Sequence, residues 1–419
     1  MKTEPQQPSN SHSQWGYGVL VILLTLVTLM TNSPLDRQVP GLAILFRIAG
    51  YLFVFGLTLI AFRPVIRDGR ANLSAFLQTY RFTLIPALIL YFLGLVIGAL
   101  HGPDPGYALH QTASDAVVFV FALATFGWLV RDLPTRTVKL LRTTALFSIL
   151  LFVGSFIIYL GNVQGLWAVN VYNHPLDDGT HRMLMNGPFT HSNHLAYVLM
   201  MGSLSAASLA AISKKDFDWT WWIMAGTLAV GVAITFGRGA MLGTAVGVIA
   251  IMFTRHRRLA WLLLVPSLSA VLVLTLGGMG AIHLPAFIPK VGFAGRSSIW
   301  KGGIEAIIES GFMGLGSGQA IGTTGWSMHN FFLEQLGEGG VLTLLGVILW
   351  LALPIWKIRT SRLAPRLAWS IVGMMLGLMV HGIFWSQFLN GLRILTLVYV
   401  CLWTALGTQR GEAPETSPA

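Results

Sequence analysis

Residues 82–100 read FTLIPALILYFLGLVIGAL, nineteen positions without a charged side chain, between Arg81 and His101. A half-buried strand would alternate apolar with polar residues, and this run does not. Nineteen helical residues rise about 29 Å, close to the thickness of a bilayer's hydrocarbon core. In hydrocarbon each peptide N–H and C=O must be satisfied within the element, which a helix does by itself. Comparable apolar runs recur at 16–32, 39–62, 114–130, 143–161, 194–212, 219–236, 239–254, 259–280, 331–354, 367–389 and 392–407. The pattern predicts an all-α, polytopic transmembrane bundle of about twelve spans, a single integral membrane domain over 1–419.

Composition agrees. Of 419 residues, 54% are hydrophobic and only 10% charged, whereas soluble domains run near a quarter charged. The single cysteine, Cys401, excludes an internal disulfide and a zinc cluster of the CxxC kind. The run at 16–32 is preceded by one basic residue, Lys2, and no small-x-small cleavage site follows, so it reads as a retained span.

The net charge of +11 does not point to nucleic acid, because the basic residues sit in short clusters between apolar runs. With the N-terminus placed inside, seven of the 27 Lys and Arg fall outside: Arg37, Arg182, Arg238, Lys290, Arg296, Lys301 and Arg393. Arg47 lies within a span, and the other nineteen fall inside. That bias predicts cytoplasmic termini, and removing one span would invert everything after it. Two outside segments are long, 162–193 and 281–330. The inside connectors are short and carry neither a Walker motif nor GxGxxG. Chemistry is therefore expected on the outer face, driven by energy already stored in the substrate.

Cations outside run against the orientation rule, so each asks for a reason. Arg238 stands in Phe236-Gly237-Arg238-Gly239-Ala240, a tight junction between two spans. It reads either as an arginine snorkelling at a helix end or as a fixed guanidinium facing an anion. Arg296 opens a helix-like stretch, Gly295-Arg296-Ser297-Ser298-Ile299-Trp300, in which Arg296, Trp300, Gly303 and Ile307 share a face. A cation in a first helical turn opposes the macrodipole unless an anion binds there too. An ordinary surface arginine is the alternative.

His329 and Asn330 stand where the second loop re-enters the membrane, heading a long apolar helix on which Asn330, Glu334 and Glu338 fall on one face. Histidine takes and releases a proton near neutral pH, which suits a general base; a polar interfacial anchor is the plainer reading. The first loop ends in His191-Ser192-Asn193-His194, preceded by Asp177, Asp178, His181 and Arg182. These could hold a divalent metal, but segment 162–193 carries no DxD or HExxH spacing; hydrogen bonding to a sugar suits Asn193 and His191 better. Trp167, Tyr172, Phe189, Trp300 and Trp326 fit an interfacial belt and could equally stack on sugar rings. Arg47 and His381 are intramembrane ionisable residues whose partners the sequence does not name.

GRSSIWKGGIEAIIESGFMGLGSG (295–318), His329-Asn330 with Glu338 and Gly340, Arg238 between two helix ends, and PFTHSNHLA (188–196) together resemble the O-antigen ligase and polymerase superfamily of bacterial inner membranes. Length and the large loop before His329-Asn330 are most similar to the ligases. The resemblance implies a GT-C-like membrane glycosyltransferase without cofactor or resident metal. Such an enzyme moves a glycan from undecaprenyl diphosphate to the lipid A core oligosaccharide on the periplasmic face. It further implies that Arg238 and Arg296 hold the diphosphate and that His329 deprotonates the acceptor hydroxyl. One histidine base without an obvious carboxylate nucleophile at the outer surface predicts inversion, with Glu334 or Glu338 as the alternative nucleophile. Arg182, His191, Asn193, Trp300, Asn330 and Glu338 would contact substrate. A polymerase of the same superfamily is the near alternative. A secondary transporter or lipid flippase is the alternative of another class, for which two matching halves with charges at the midplane would be expected.

Overall fold

A computed structural model describes residues 84–113, 115–116, 133–166, 172–175, 181–187, 189, 191–215, 217–265, 269, 296–319, 328–357 and 364–384. The main elements are α1 (Leu84–His101), α2 (Leu133–Val163), β1 (Tyr172–Pro175), β2 (His181–Leu184), α3 (Ser192–Ile212), α4 (Trp219–Ile234) and α5 (Arg238–Met252). They continue with α6 (Arg296–Glu309), α7 (Phe331–Lys357) and α8 (Pro365–Ile383). Among the described residues five helices, α1, α2, α3, α7 and α8, are long and apolar enough to cross a membrane. The outward surface is apolar as well: Leu100, Leu150, Ile157 and Ile223 are each more than half exposed. Such a surface suits a hydrocarbon environment rather than water. The expected spans 16–32, 39–62 and 392–407 lie outside the described residues, as do most of 114–130 and the later part of 259–280.

α3 is the buried centre, packed against α2, α4, α5 and α8. Hydroxyls hold the neighbours to it: Ser148 Oγ of α2 donates to the Val198 carbonyl (3.1 Å), and Ser203 Oγ to the Ala225 carbonyl of α4 (2.8 Å). Where apolar side chains meet apolar lipid, close packing of small residues replaces the hydrophobic driving force. α5 and α8 use this device. A Cβ on Gly243 would come within 2.6 Å of the Gly377 carbonyl oxygen, and one on Gly247 within 3.1 Å of that of Gly373. The pairing of 243 with 377 and 247 with 373 makes these helices antiparallel. α1 and α7 pair the same way, Gly346 lying against Ala87 and Tyr91 while Gly98 lies against Glu338.

These antiparallel packings and short connections gather like ends. One end holds the C-termini of α1, α2, α4 and α8 and the N-termini of α3, α5 and α7. The opposite end carries Lys214, Lys215, Arg255, Arg257, Arg258 and Arg366. There Arg255 donates to the carbonyls of Ala210, Ser213 and Lys215, capping the C-terminus of α3, where a cation also suits the helix dipole.

Three features depart from the sequence expectation. α2 begins at Leu133 rather than near 143, so Arg136, Lys139 and Arg142 lie in its first turns instead of a loop. Segment 162–193 contains an antiparallel pair of strands, with His174 opposite Arg182 and Pro175 opposite His181, so the architecture is not purely helical. Finally α7 is not continuous. Gly339 (φ −126°, ψ 16°) and Gly340 (φ 68°, ψ −164°) break it one residue after Glu338.

The break receives another piece of backbone. Residues 311–319 fold back against it, where Leu315 N–H donates to the Gly337 carbonyl (2.7 Å) and Gly316 N–H to that of Glu338 (2.9 Å). Val341 N–H in turn donates to the Phe312 carbonyl (3.1 Å). Carbonyls freed by the interruption thus find donors without water, as burial demands.

Candidate functional site

Two constellations stand at the end of the bundle away from the basic cluster. The first is built by α3, the α4–α5 turn and the C-terminus of α8. His191 caps α3 in an extended conformation, its Nδ1 accepting the Asn193 N–H (3.1 Å). Its ring centre lies 6.3 Å from that of His194, which meets Phe189 edge-on. His191 is therefore committed to the helix start through one ring nitrogen. Asn193 faces the next turn of chain, its Oδ1 3.4 Å from where a Gly237 Cβ would stand.

That turn is tightly specified. Thr235 is fully buried, donates through Oγ1 to the Val232 carbonyl (2.6 Å) and accepts the Gly237 N–H (3.3 Å). Phe236 adopts φ 56°, sparsely populated for a residue with a Cβ. Arg238 follows as the first residue of α5, exposed, its cation at the positive end of the helix dipole. One residue on, a Gly239 Cβ would stand 3.2 Å from His381 Nδ1. His381 is buried and stacks on Tyr197 with centroids 5.5 Å apart. The buried histidine therefore belongs to the junction that carries Arg238, with Tyr197 and the backbone of Gly239 around it.

The second constellation is built by α6, α7 and the folded-back segment. α6, described over Arg296–Glu309, turns Gly303 and Ile307 inward while Ile304 and Ile308 stay exposed. Trp300, on the inward side, donates its indole N–H to the Met328 carbonyl (2.8 Å). His329 comes next, with φ 48°. Asn330 then caps α7: its Oδ1 accepts the Leu333 N–H (3.1 Å) and its carbonyl accepts that of Glu334 (2.9 Å).

Glu334 and Glu338 are both buried on α7, on the shared face expected of them. Glu338 Oε1 accepts the Gly318 N–H (3.0 Å), fastening the glycine-rich segment to the helix. Asn330 and Glu338 thus each perform a structural task in addition to any contact with substrate. Arg182 lies on β2 opposite His174. Asp177, Asp178, Trp167, Trp326 and Arg47 lie outside the described residues.

Sequence reasoning passed over Asp104, Asp115, Ser317 and Gln319. Asp104 Oδ1 accepts the Tyr107 N–H (3.0 Å), and its carbonyl accepts from Gln319 Nε2 (2.8 Å). Ser317 Oγ donates to the buried carboxylate of Asp115 (3.3 Å). The signal for the first was legible: Asp followed by Pro105 is the pairing that starts a helix. Nothing in sequence pairs residue 115 with 317.

No protein-family model matches this chain, and no curated protein matches it.

Proposed function

We propose that this chain is an O-antigen ligase-type glycosyltransferase of the bacterial inner membrane. It has about twelve spans, both termini in the cytoplasm, and outer segments 162–193 and 281–330 facing the periplasm. The observation that carries the reading is the segregation of charge along the bundle. Arg238, the Arg296-led α6 and His329 stand apart from the end that gathers Lys214, Lys215, Arg255, Arg257, Arg258 and Arg366. Cations at one end follow the orientation rule, and those at the other serve an anion.

In this reading Arg238 and Arg296 hold the diphosphate of an undecaprenyl diphosphate-linked glycan. His329 accepts the proton of a hydroxyl on the lipid A core. The hydroxyl oxygen bonds to the anomeric carbon as the bond from that carbon to the diphosphate oxygen breaks, and the carrier departs with the electron pair. Guanidinium charge on the departing diphosphate lowers the barrier where negative charge develops. With a single base and direct attack, the anomeric configuration inverts. Two arginines neutralise the leaving group, so no metal, cofactor or nucleic acid is invoked. Arg182, His191, Asn193, Trp300, Asn330 and Glu338 frame the substrates or the segments that meet them.

The break at Gly339–Gly340 favours a second reading, since secondary transporters bind substrate at interrupted helices. Here, however, the freed carbonyls of Gly337 and Glu338 are taken by the chain's own Leu315 and Gly316 N–H groups. The break is thus a docking point for the 311–319 segment, and the enzyme reading is the stronger. Disruption of the gene in its native bacterium tests it through the lipopolysaccharide profile. A ligase leaves the lipid A core uncapped while lipid-linked glycan accumulates. Loss of long chains with continued capping by single repeat units would mean a polymerase, and an unchanged profile would remove the proposal.

A further inference from the structure

We propose that Trp300 is a positioning residue for His329, holding the backbone before it in place rather than binding the glycan. The inference rests on the reading of His329 as the base. Its φ of 48° lies in the left-handed region, which a residue with a Cβ occupies at a cost. Such a conformation persists where the surroundings over-determine it.

Both sides of His329 are fixed to helices. Ahead of it, Met328 is fully buried and fills a notch between two glycines. A Cβ on Gly303 of α6 would stand 3.3 Å from its sulfur, and one on Gly337 of α7 only 2.5 Å from its methyl carbon. The Met328 carbonyl, which belongs to the same peptide unit as the His329 nitrogen, accepts the Trp300 indole N–H at 2.8 Å. Behind it, Asn330 caps α7 through both its side chain and its carbonyl. The peptide before His329 is thus tied to α6 and the residue after it to α7, which fixes where the Cα–Cβ bond of His329 points. The indole has one donor, and it is spent on this carbonyl, so it offers none to a sugar hydroxyl.

Trp300→Phe keeps an aromatic ring at the position and removes the indole N–H donor. With lipid-linked glycan and lipid A core, its kcat is expected to fall about ten- to a hundredfold, the scale of a small misplacement of a catalytic group. KM for the lipid-linked donor should stay within about twofold, as expected when ground-state binding is untouched. In a His329→Ala background the same substitution should change the residual rate no further, because the two act as one unit. A rise in KM at unchanged kcat, or a loss that persists in the His329→Ala background, would mean that Trp300 acts on the glycan directly and would overturn the proposal.

A second readout does not depend on the reaction. Carbethoxylation of His329 by diethyl pyrocarbonate, followed by peptide mass spectrometry on folded protein, should change severalfold in Trp300→Phe, while exposed His101 reacts as before. Unchanged reactivity at His329 overturns the clamp whatever the enzyme does. Full transfer by His329→Ala would instead remove the base assignment and leave the clamp to be judged by reactivity alone.

Discussion

Replacing Gly340 with alanine adds one methyl group at the point where α7 breaks and the 311–319 segment docks. Two penalties follow from the geometry. At φ 68° and ψ −164° the residue occupies a region that is essentially glycine-only, which costs roughly 1–3 kcal/mol for a residue with a Cβ. The new carbon would also stand 2.2 Å from the Phe312 oxygen and 2.7 Å from the Met313 carbonyl carbon. Both are backbone atoms and cannot rotate away, so the segment must retreat, at a further cost of about 1–3 kcal/mol by analogy with overpacked cores. Retreat weakens the Val341 N–H to Phe312 bond and the two bonds to the Gly337 and Glu338 carbonyls. The total, roughly 2–6 kcal/mol, is a large share of the stability of an ordinary fold. Thermal unfolding in detergent measures it, with Gly302→Ala as the reference. Gly302 lies within α6, and nothing stands within 4 Å of its added Cβ. That substitution should be neutral or stabilising by about 0.5–1 kcal/mol through helix propensity. A Gly340→Ala protein that melts with wild type would refute the account of the break.

At the basic end, burial, then the charges of Arg255 and Arg366, hold the His256 pKa below histidine's usual 6.5. The folded state then binds fewer protons than the unfolded one as pH falls through 6.5, so the contribution of His256 is complete above 6.5 and is lost towards its folded value. His256→Phe, which retains a ring beside Phe217 and Trp222, should flatten the acid-side fall in melting temperature between about pH 7 and 5; an unchanged slope contradicts this. Arg238→Lys and Arg296→Lys keep charge and lose the planar fork that grips phosphate oxygens. Each should insert normally and bind the diphosphate carrier more weakly in a direct binding assay, and wild-type affinity in both would remove the clamp.

The spans were legible where apolarity is continuous. α3, α7 and α8 start within two residues of the apolar runs, because hydrocarbon tolerates no other pattern. Hydropathy missed the first ten residues of α2, since Arg136, Lys139 and Arg142 are helical without being apolar. It also treated α7 as one helix, although Gly339-Gly340 was in plain view. A glycine pair signals a possible break, and only the approach of Phe312 and Met313 shows that the break is used. The β1–β2 pair had a weak signal in Asp178-Gly179, on strands of four residues each. Within the site, Arg238, Arg296 and His329 stood out as polar groups in locally unfavourable places. Their supports did not: Tyr197 with His381, Ser317 with Asp115, and Trp300 with Met328 are pairs that distant parts of the chain bring together.

The central claim is that His329 serves as the base in glycan transfer from a lipid diphosphate. Purified wild-type protein and His329→Ala, reconstituted in liposomes with undecaprenyl diphosphate-linked glycan and lipid A core, test it most directly. The account predicts transfer by wild type and a rate lower by about 10²–10⁴ in His329→Ala, with donor binding about equal in the two. Transfer by His329→Ala at the wild-type rate, or no transfer by a well-folded wild-type protein, would contradict it.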